Sequence, residues 1–227
     1  MTGRGMFLCL ALSCLASGAA WSHQAGEPEA HRQSEAHGQP ESHRGDSKQS
    51  GNATGKPAPT SHDEASRGYF TDLVLRDQHG TRRRFYTDVL KDRVVLINFI
   101  YTRCRDACPL LTAKLVQVKK ALGERFGEQV FFVSISTDPD NDTPEALLEF
   151  ARQQRADDPG WVFLTGDKAD VDRVIKKLGQ FNADVKSHST LILAGNVKTR
   201  HWAKVRPTTP APAIAMQLEA FALDSGT

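Results

Sequence analysis

The sequence predicts an α/β domain in which helices cover a mixed or mostly parallel sheet. Residues 94–101 and 130–136 are continuous apolar runs of strand length, as expected for strands buried on both faces. Apolar residues recur at helical spacing over 110–126, and Thr143 followed by Pro144 is typical of a helix start. Because strands alternate with helices along the chain, the helices are expected to pack on the faces of the sheet.

Weaker signals complete this prediction. Phe70, Leu73, Leu75 and Phe85 flank a turn at 77–80 and predict a β-hairpin before the first buried strand. The remaining expected elements are a strand at 161–164, a helix at 169–178, strands at 189–193 and 199–204, and a closing helix at 212–223. The order of these elements, with a cysteine-bearing turn after the first buried strand, predicts a thioredoxin-like fold with an N-terminal β-hairpin extension.

Composition divides the 227 residues into three parts. Residues 1–20 have the order of a secretory signal peptide, with Arg4 before a short apolar stretch and small residues at the end. Residues 21–66 are rich in polar residues, Gly and Pro without apolar periodicity, which predicts a disordered tether. Residues 67–227 form the predicted domain. The chain is therefore expected in the periplasm, with an uncleaved leader or a lipid on Cys14 as alternative membrane tethers.

Charge and histidine content limit the classes of ligand. The chain has 29 basic and 27 acidic residues, a net charge of +2, so it lacks the basic excess expected of a protein that binds nucleic acid. Imidazoles in the predicted tether either collect copper, nickel or zinc weakly or belong to a solvated linker. These histidines are His23, His31, His37, His43 and His62.

Cys104 and Cys108 form a CxxxC motif directly after the first buried strand. The other two cysteines fall in the leader, so the exported chain would carry this pair alone. The following helix N-terminus, together with Arg103 and Arg105, is expected to favour the thiolate form. The spacing by itself leaves three possibilities open, namely a structural disulfide, a redox couple and a metal site.

The segment before the late strand favours the metal site. Thiol-disulfide enzymes of this fold have a cis-proline there, facing the active cysteines. Residues 186–190 read Lys-Ser-His-Ser-Thr and contain no proline, so His188 is expected beside Cys104 and Cys108. Two thiolates and an imidazole suit Cu(I), with room for a weak fourth ligand in Cu(II), whereas structural zinc normally requires four ligands. The sequence therefore predicts a copper site.

Three separated motifs are similar to those of one protein family. Residues 101–109 (YTRCRDACP) resemble an aromatic-Thr-x-Cys-x-Asp-x-Cys-Pro signature, and residues 136–144 (STDPDNDTP) resemble an Asp-Pro-x-x-Asp-Thr-Pro block. His188 and Ser189 match a late His-Ser pair. With these motifs the chain resembles, over about residues 70–223, the SCO/SenC family of copper-binding proteins that serve cytochrome c oxidase assembly.

The resemblance implies copper binding by Cys104, Cys108 and His188. It also implies copper delivery to, or thiol reduction of, the CuA centre of an oxidase subunit, with other periplasmic copper or thiol-redox proteins as further partners. Asp106 matches an acidic position of the family's loop, where it would tune the thiols, contact the partner or cap the next helix. Arg105 departs from the proline that the family often has there.

Four further expectations concern the surroundings of this site. Asp138 and Thr143 are expected to fix the loop after the second buried strand and to cap the next helix. Residues 194–196 stand where the family has an Asp-containing turn. His201 is expected to be a surface residue rather than a ligand of a second metal.

Three functional hypotheses remain. The first is a metallochaperone that carries copper and passes it on by ligand exchange. The second is a thiol-disulfide reductase in which Cys104 attacks a client disulfide and Cys108 resolves the mixed disulfide. The third is a copper or redox sensor. The absent proline and the presence of His188 favour the first, because a reductase would use only the cysteines.

Overall fold

The computed structural model describes residues 62–187 and 189–226. These residues belong to one compact unit, Thr54–Thr227. The predicted signal peptide with Cys14, the predicted tether up to residue 61, and His188 lie outside the described residues. Within the described ranges, no helix has both the length and the apolar composition required to cross a membrane.

A seven-stranded mixed sheet forms the centre of the domain. Its strands are β1 Val74–Asp77, β2 Arg82–Arg84, β3 Val94–Ile100, β4 Val130–Ser136, β5 Trp161–Thr165, β6 Ile192–Asn196 and β7 His201–Val205. They lie in the order β2-β1-β5-β4-β3-β6-β7. The central strands β3, β4 and β5 are parallel, whereas β1 and β6 run antiparallel to their neighbours.

Helices cover both faces of this sheet. They are α1 His62–Phe70, α2 Ala107–Leu122, α3 Pro144–Gln153, α4 Lys168–Lys177 and α5 Ala211–Leu223, with a π-helical turn at Phe85–Leu90. Alternate residues of β3 enter two separate apolar clusters, because neighbouring strand residues point to opposite faces. Leu96 packs in the cluster with α2, α3 and α5, and Ile97 in the cluster with α1, α4 and the π-helical turn. The predicted α/β class is confirmed.

The N-terminal elements agree with the predicted hairpin and extend it. β1 and β2 pair antiparallel around the turn at 77–80, as expected. Phe70, however, ends the helix α1, which begins at His62 and thus five residues before the predicted domain start at 67. The helix buries only Ser66 and Phe70. Its sequence therefore shows no apolar periodicity by which it could be predicted.

The late strand begins and ends later than predicted. β6 runs from Ile192 to Asn196 instead of 189–193, and the residues expected to form a turn, 194–196, belong to it. Gly and Asn favour turns by their intrinsic properties, but here tertiary contacts decide. Gly195 lies directly under the ring of Trp202 on β7, and the Asn196 side chain donates to the Phe221 carbonyl oxygen at 3.0 Å.

Gly195→Ala is expected to destabilise the domain. A Cβ atom at this position would lie 2.5 Å from a ring carbon of Trp202 and 2.6 Å from the His201 carbonyl oxygen. The overpacking should lower the unfolding free energy by about 1–3 kcal/mol, measured by urea denaturation. Gly68→Ala is the matched control, because its Cβ would meet no atom within 4 Å and the change favours the helix. Equal stability of the two variants would contradict the assigned close approach.

Candidate metal-binding site

The structure brings Cys104 and Cys108 together between the end of β3 and the start of α2. Cys104 lies in the connecting loop, and Cys108 is the second residue of α2. The Cys108 backbone N–H donates a hydrogen bond to the Cys104 sulfur at 3.3 Å. No disulfide joins the two sulfurs. The helix start therefore contacts the first sulfur directly.

Both cysteines are buried in apolar surroundings. Cys104 is 8% exposed and Cys108 1% exposed. They belong to the same cluster as Leu111 and Leu115 of α2 and Ile192 at the start of β6. Such a setting excludes most water from the sulfurs, leaving Cys104 as the more accessible of the two.

The two thiols differ in acidity. Burial raises the pKa of Cys104, but hydrogen bonds from Cys108, the Asp106 backbone and the Tyr101 side chain outweigh it, and the net pKa is lowered. Burial raises the pKa of Cys108 to about 12, and the neighbouring Cys104 and Asp142 add to this effect. Cys104 is thus the thiol that ionises first.

Asp142 holds the cysteine loop in place. One carboxylate oxygen accepts hydrogen bonds from the Thr102 backbone N–H at 3.1 Å and the Thr102 hydroxyl at 2.6 Å. The other accepts from the Ser136 hydroxyl at 2.6 Å. The residue is fully buried, and burial raises its pKa. Sequence reasoning missed this role, although Asp142 lies in the 136–144 motif, because Asp138 and Asp140 in the same motif offer equivalent carboxylates.

The arginines beside the motif lie apart from the strongest influences on Cys104. Arg103 forms an ion pair with Asp138 at 2.7 Å, and Arg105 is exposed. The largest influences that lower the Cys104 pKa are hydrogen bonds at close range, and neither guanidinium is among them. The expected contribution of the two arginines to the thiolate stays a prediction.

The loop residues that follow β4 have their expected roles. Asp138 also accepts a hydrogen bond from the Asn141 side chain at 2.8 Å and so fixes the loop. The Thr143 hydroxyl accepts from the Ala146 N–H at 3.3 Å and caps α3. Asp106 occupies the N-cap position of α2 but forms no side-chain cap hydrogen bond, so helix capping, one of its three possible roles, is wrong.

The histidines complete the comparison with the sequence. His201 is a surface residue whose Nδ1 lies 3.4 Å from an Asp224 carboxylate oxygen. Among residues 62–187 and 189–226, no group of three or more His, Cys, Asp or Glu side chains could hold a metal ion. His188 is outside this set, so its place beside the cysteines stays a prediction. β6 runs antiparallel to β3 with Leu193 opposite Ile97, so the chain enters β6 from the end of β3 that carries Cys104.

Comparison with known proteins identifies the family. The SCO1/SenC family model matches residues 62–221. The chain belongs to the SCO1/SenC family. A SCO1 protein homolog of Bacillus subtilis is 39% identical over 77 residues, which is 34% of this chain. The match spans only 39% of that relative's length.

Solved structures of SCO1/SenC proteins confirm the thioredoxin-like fold. The copper-bound ScoI of Bradyrhizobium japonicum is 26% identical, with a TM-score of 0.56 over 66% of this chain and 96% of that one. A SCO1/SenC family lipoprotein from Bacillus anthracis is also 26% identical, with a TM-score of 0.58 over 66% of this chain and 92% of that one.

Cys104 is expected to react with iodoacetamide before Cys108. Its pKa is lowered, whereas that of Cys108 is about 12, so near neutral pH Cys104 supplies nearly all of the reactive thiolate. Peptide mass spectrometry of the reduced protein should show alkylation of Cys104 about tenfold faster or more. Cys108→Ser retains the backbone N–H and should keep Cys104 reactive. Comparable rates at the two cysteines would refute the assigned asymmetry.

Asp142→Ala is expected to destabilise the domain and loosen the cysteine loop. Removal of the carboxylate leaves three donors from Thr102 and Ser136 without their acceptor, at a cost of about 2–4 kcal/mol in unfolding free energy. Chemical denaturation measures the loss. Asp140→Ala, which removes an exposed carboxylate from the same loop, is the control.

Asp142→Asn tests the electrostatics of the same residue. Burial raises the pKa of Asp142 above its ordinary 3.8, so its contribution to stability is present below that value and is lost as the pH rises through the raised pKa. The stability of the wild type relative to Asp142→Asn should therefore decrease with rising pH across this window. A difference that grows with pH would show that the carboxylate is stabilised as the anion.

Proposed function

We propose that this SCO1/SenC protein is a periplasmic copper metallochaperone. Cys104, Cys108 and His188 bind the copper, and the protein delivers it to, or prepares, the CuA centre of a cytochrome c oxidase subunit. The observation that carries the proposal is the buried cysteine pair, in which the Cys108 N–H stabilises the Cys104 sulfur. Copper bound to the related Bradyrhizobium japonicum protein supports the choice of metal.

The chemistry of the pair fits copper as cargo. Thiolates are soft ligands and suit Cu(I), which also accepts an imidazole. Cys104 ionises readily and would receive the ion first, whereas Cys108, with a pKa of about 12, would lose its proton only as the metal binds. A second ligand that is costly to deprotonate makes release to a client easier. The asymmetry therefore supports a carrier rather than a permanent metal site.

The segment before β6 supports His188 as the third ligand. It contains no proline at 186–190, and the antiparallel pairing of β6 with β3 directs this segment toward the end of β3. An imidazole there would complete a site that the cysteines alone leave two-coordinate. The periplasmic location and the oxidase client are also parts of the proposal, and they rest on the sequence and on the family.

A thiol-disulfide reductase is the second candidate, and the same acidity difference favours it. The Cys104 thiolate would attack a client disulfide, forming a mixed disulfide and releasing one client thiolate. Cys108, after losing its proton, would then attack the Cys104 sulfur, releasing the second client thiol and leaving a Cys104–Cys108 disulfide. Two electrons pass to the client. This role leaves His188 unused.

His188→Ala is expected to abolish tight copper binding. Loss of one of three ligands should weaken the affinity roughly 100-fold or more, because changes outside the ligand set already cost 10- to 100-fold. The measurement is copper stoichiometry after dialysis against a competing chelator. His201→Ala is the matched control, since His201 is a surface histidine paired with Asp224. Copper retention by His188→Ala equal to that of the control would rule out the assigned ligand.

The same variants separate the two candidate functions. Each reduced variant is supplied with Cu(I) and mixed with an oxidised, soluble CuA domain, and both the thiols and the bound copper on that domain are measured with time. A metallochaperone loses CuA loading when His188 is replaced, even though its dithiol remains oxidisable. If His188→Ala instead reduces the domain and supports oxidase activity in cells as the wild type does, the reductase function is correct.

A further inference from the structure

A cavity of about 550 Å³ lies on the opposite face of the sheet from the cysteines. It is bounded by α1, the residue that follows α4, and the strands β6 and β7. Its apolar walls come from Phe70, Leu178, Leu193 and Trp202. All four pack in or against the apolar cluster that contains α1, α4 and the π-helical turn. The volume falls within the range of about 300–1,000 Å³ that is usual for small-molecule sites.

The cavity lies between the end of helix α1 and the edge strand β7. Phe70, the last residue of α1, contacts Trp202 with ring centroids 5.4 Å apart. β7 is the final strand of the sheet, and its Trp202 and Lys204 point to the same face because they are two residues apart. The rim therefore combines an aromatic wall with a row of strand side chains.

Two cationic side chains lie at this cavity. Arg200 and Lys204 both line it, and neither forms an ion pair or a side-chain hydrogen bond within the described ranges. No acidic residue is found among the described lining residues. Arg200 also has a left-handed backbone, with φ of 61°. On the other edge of the sheet, by contrast, Arg83 and Arg84 each pair with an aspartate.

We propose that this cavity binds an amphiphile with an apolar chain and one anionic head group. The chain would lie against Phe70, Leu193 and Trp202, and a carboxylate or phosphate would contact Arg200 and Lys204. Burial of the chain supplies the main attraction, and charge-assisted hydrogen bonds fix the head group. A free fatty acid and a phospholipid share this chemistry. The site is separate from the cysteines and does not depend on copper.

The test uses the chain without its predicted leader and two anionic probes, laurate and lauroyl-lysophosphatidylglycerol, each below its micelle concentration. Isothermal titration calorimetry should show saturable one-to-one binding, with a change in tryptophan fluorescence that Trp202→Phe reduces. The probe that binds more tightly identifies the source of the head group. Absence of saturable binding to both probes overturns the proposal.

Paired substitutions test the head-group contacts. Arg200→Gln with Lys204→Gln should weaken binding of the anionic probes about tenfold or more, but should affect the neutral probe dodecanol much less. The matched control, Lys198→Gln with Arg206→Gln, removes the same charge from exposed positions of the same hairpin that do not line the cavity. Equal losses in both double variants would show nonspecific attraction and overturn the proposal.

A blocking substitution tests the location. Ala65 is exposed on α1 and lines the cavity, so Ala65→Trp should fill the mouth without disturbing the core. All three probes should then lose binding while the circular dichroism spectrum stays unchanged. Undiminished binding would place the site elsewhere. Concentration-dependent dimerisation that Ala65→Trp abolishes, without binding of any probe, would replace the proposed ligand with a second copy of the chain.

Discussion

The geometry of the cysteine pair depends on one buried carboxylate. Asp142 ties together the end of β3, through Thr102, and the end of β4, through Ser136. Both strands are parallel and fully paired, so their carboxyl ends lie side by side. The burial of Asp142 is costly, as its raised pKa shows, and three hydrogen bonds offset part of that cost. The loop that carries Cys104 leaves the sheet from this fixed point.

The central fold could be predicted from the sequence because its signals are strong and local. The run at 130–136 became β4 with the same bounds, and the run at 94–101 became β3 with one residue fewer. α1 could not be predicted, since a short helix that buries little shows no apolar period. β6 was displaced because Gly195 packs under Trp202 of the next strand and Asn196 donates to Phe221, contacts that intrinsic turn preference does not reveal.

The candidate site could be predicted in its chemistry but not in its electrostatics. The spacing of Cys104 and Cys108 was sufficient to place them together at a helix start. It could not show which charges would matter, because an arginine next to a cysteine in sequence need not act on its sulfur. Arg103 reaches Asp138 instead. Likewise, nothing in the order of Asp138, Asp140 and Asp142 indicates which carboxylate becomes fully buried.

The hydrogen bond from the Cys108 N–H to the Cys104 sulfur comes from the main chain. No side chain at the three positions between the cysteines is required to make it. A change of the exposed Arg105 side chain would therefore leave the donor to the Cys104 sulfur in place. The outer surface of the loop and the main-chain contact to the sulfur can thus change independently of each other.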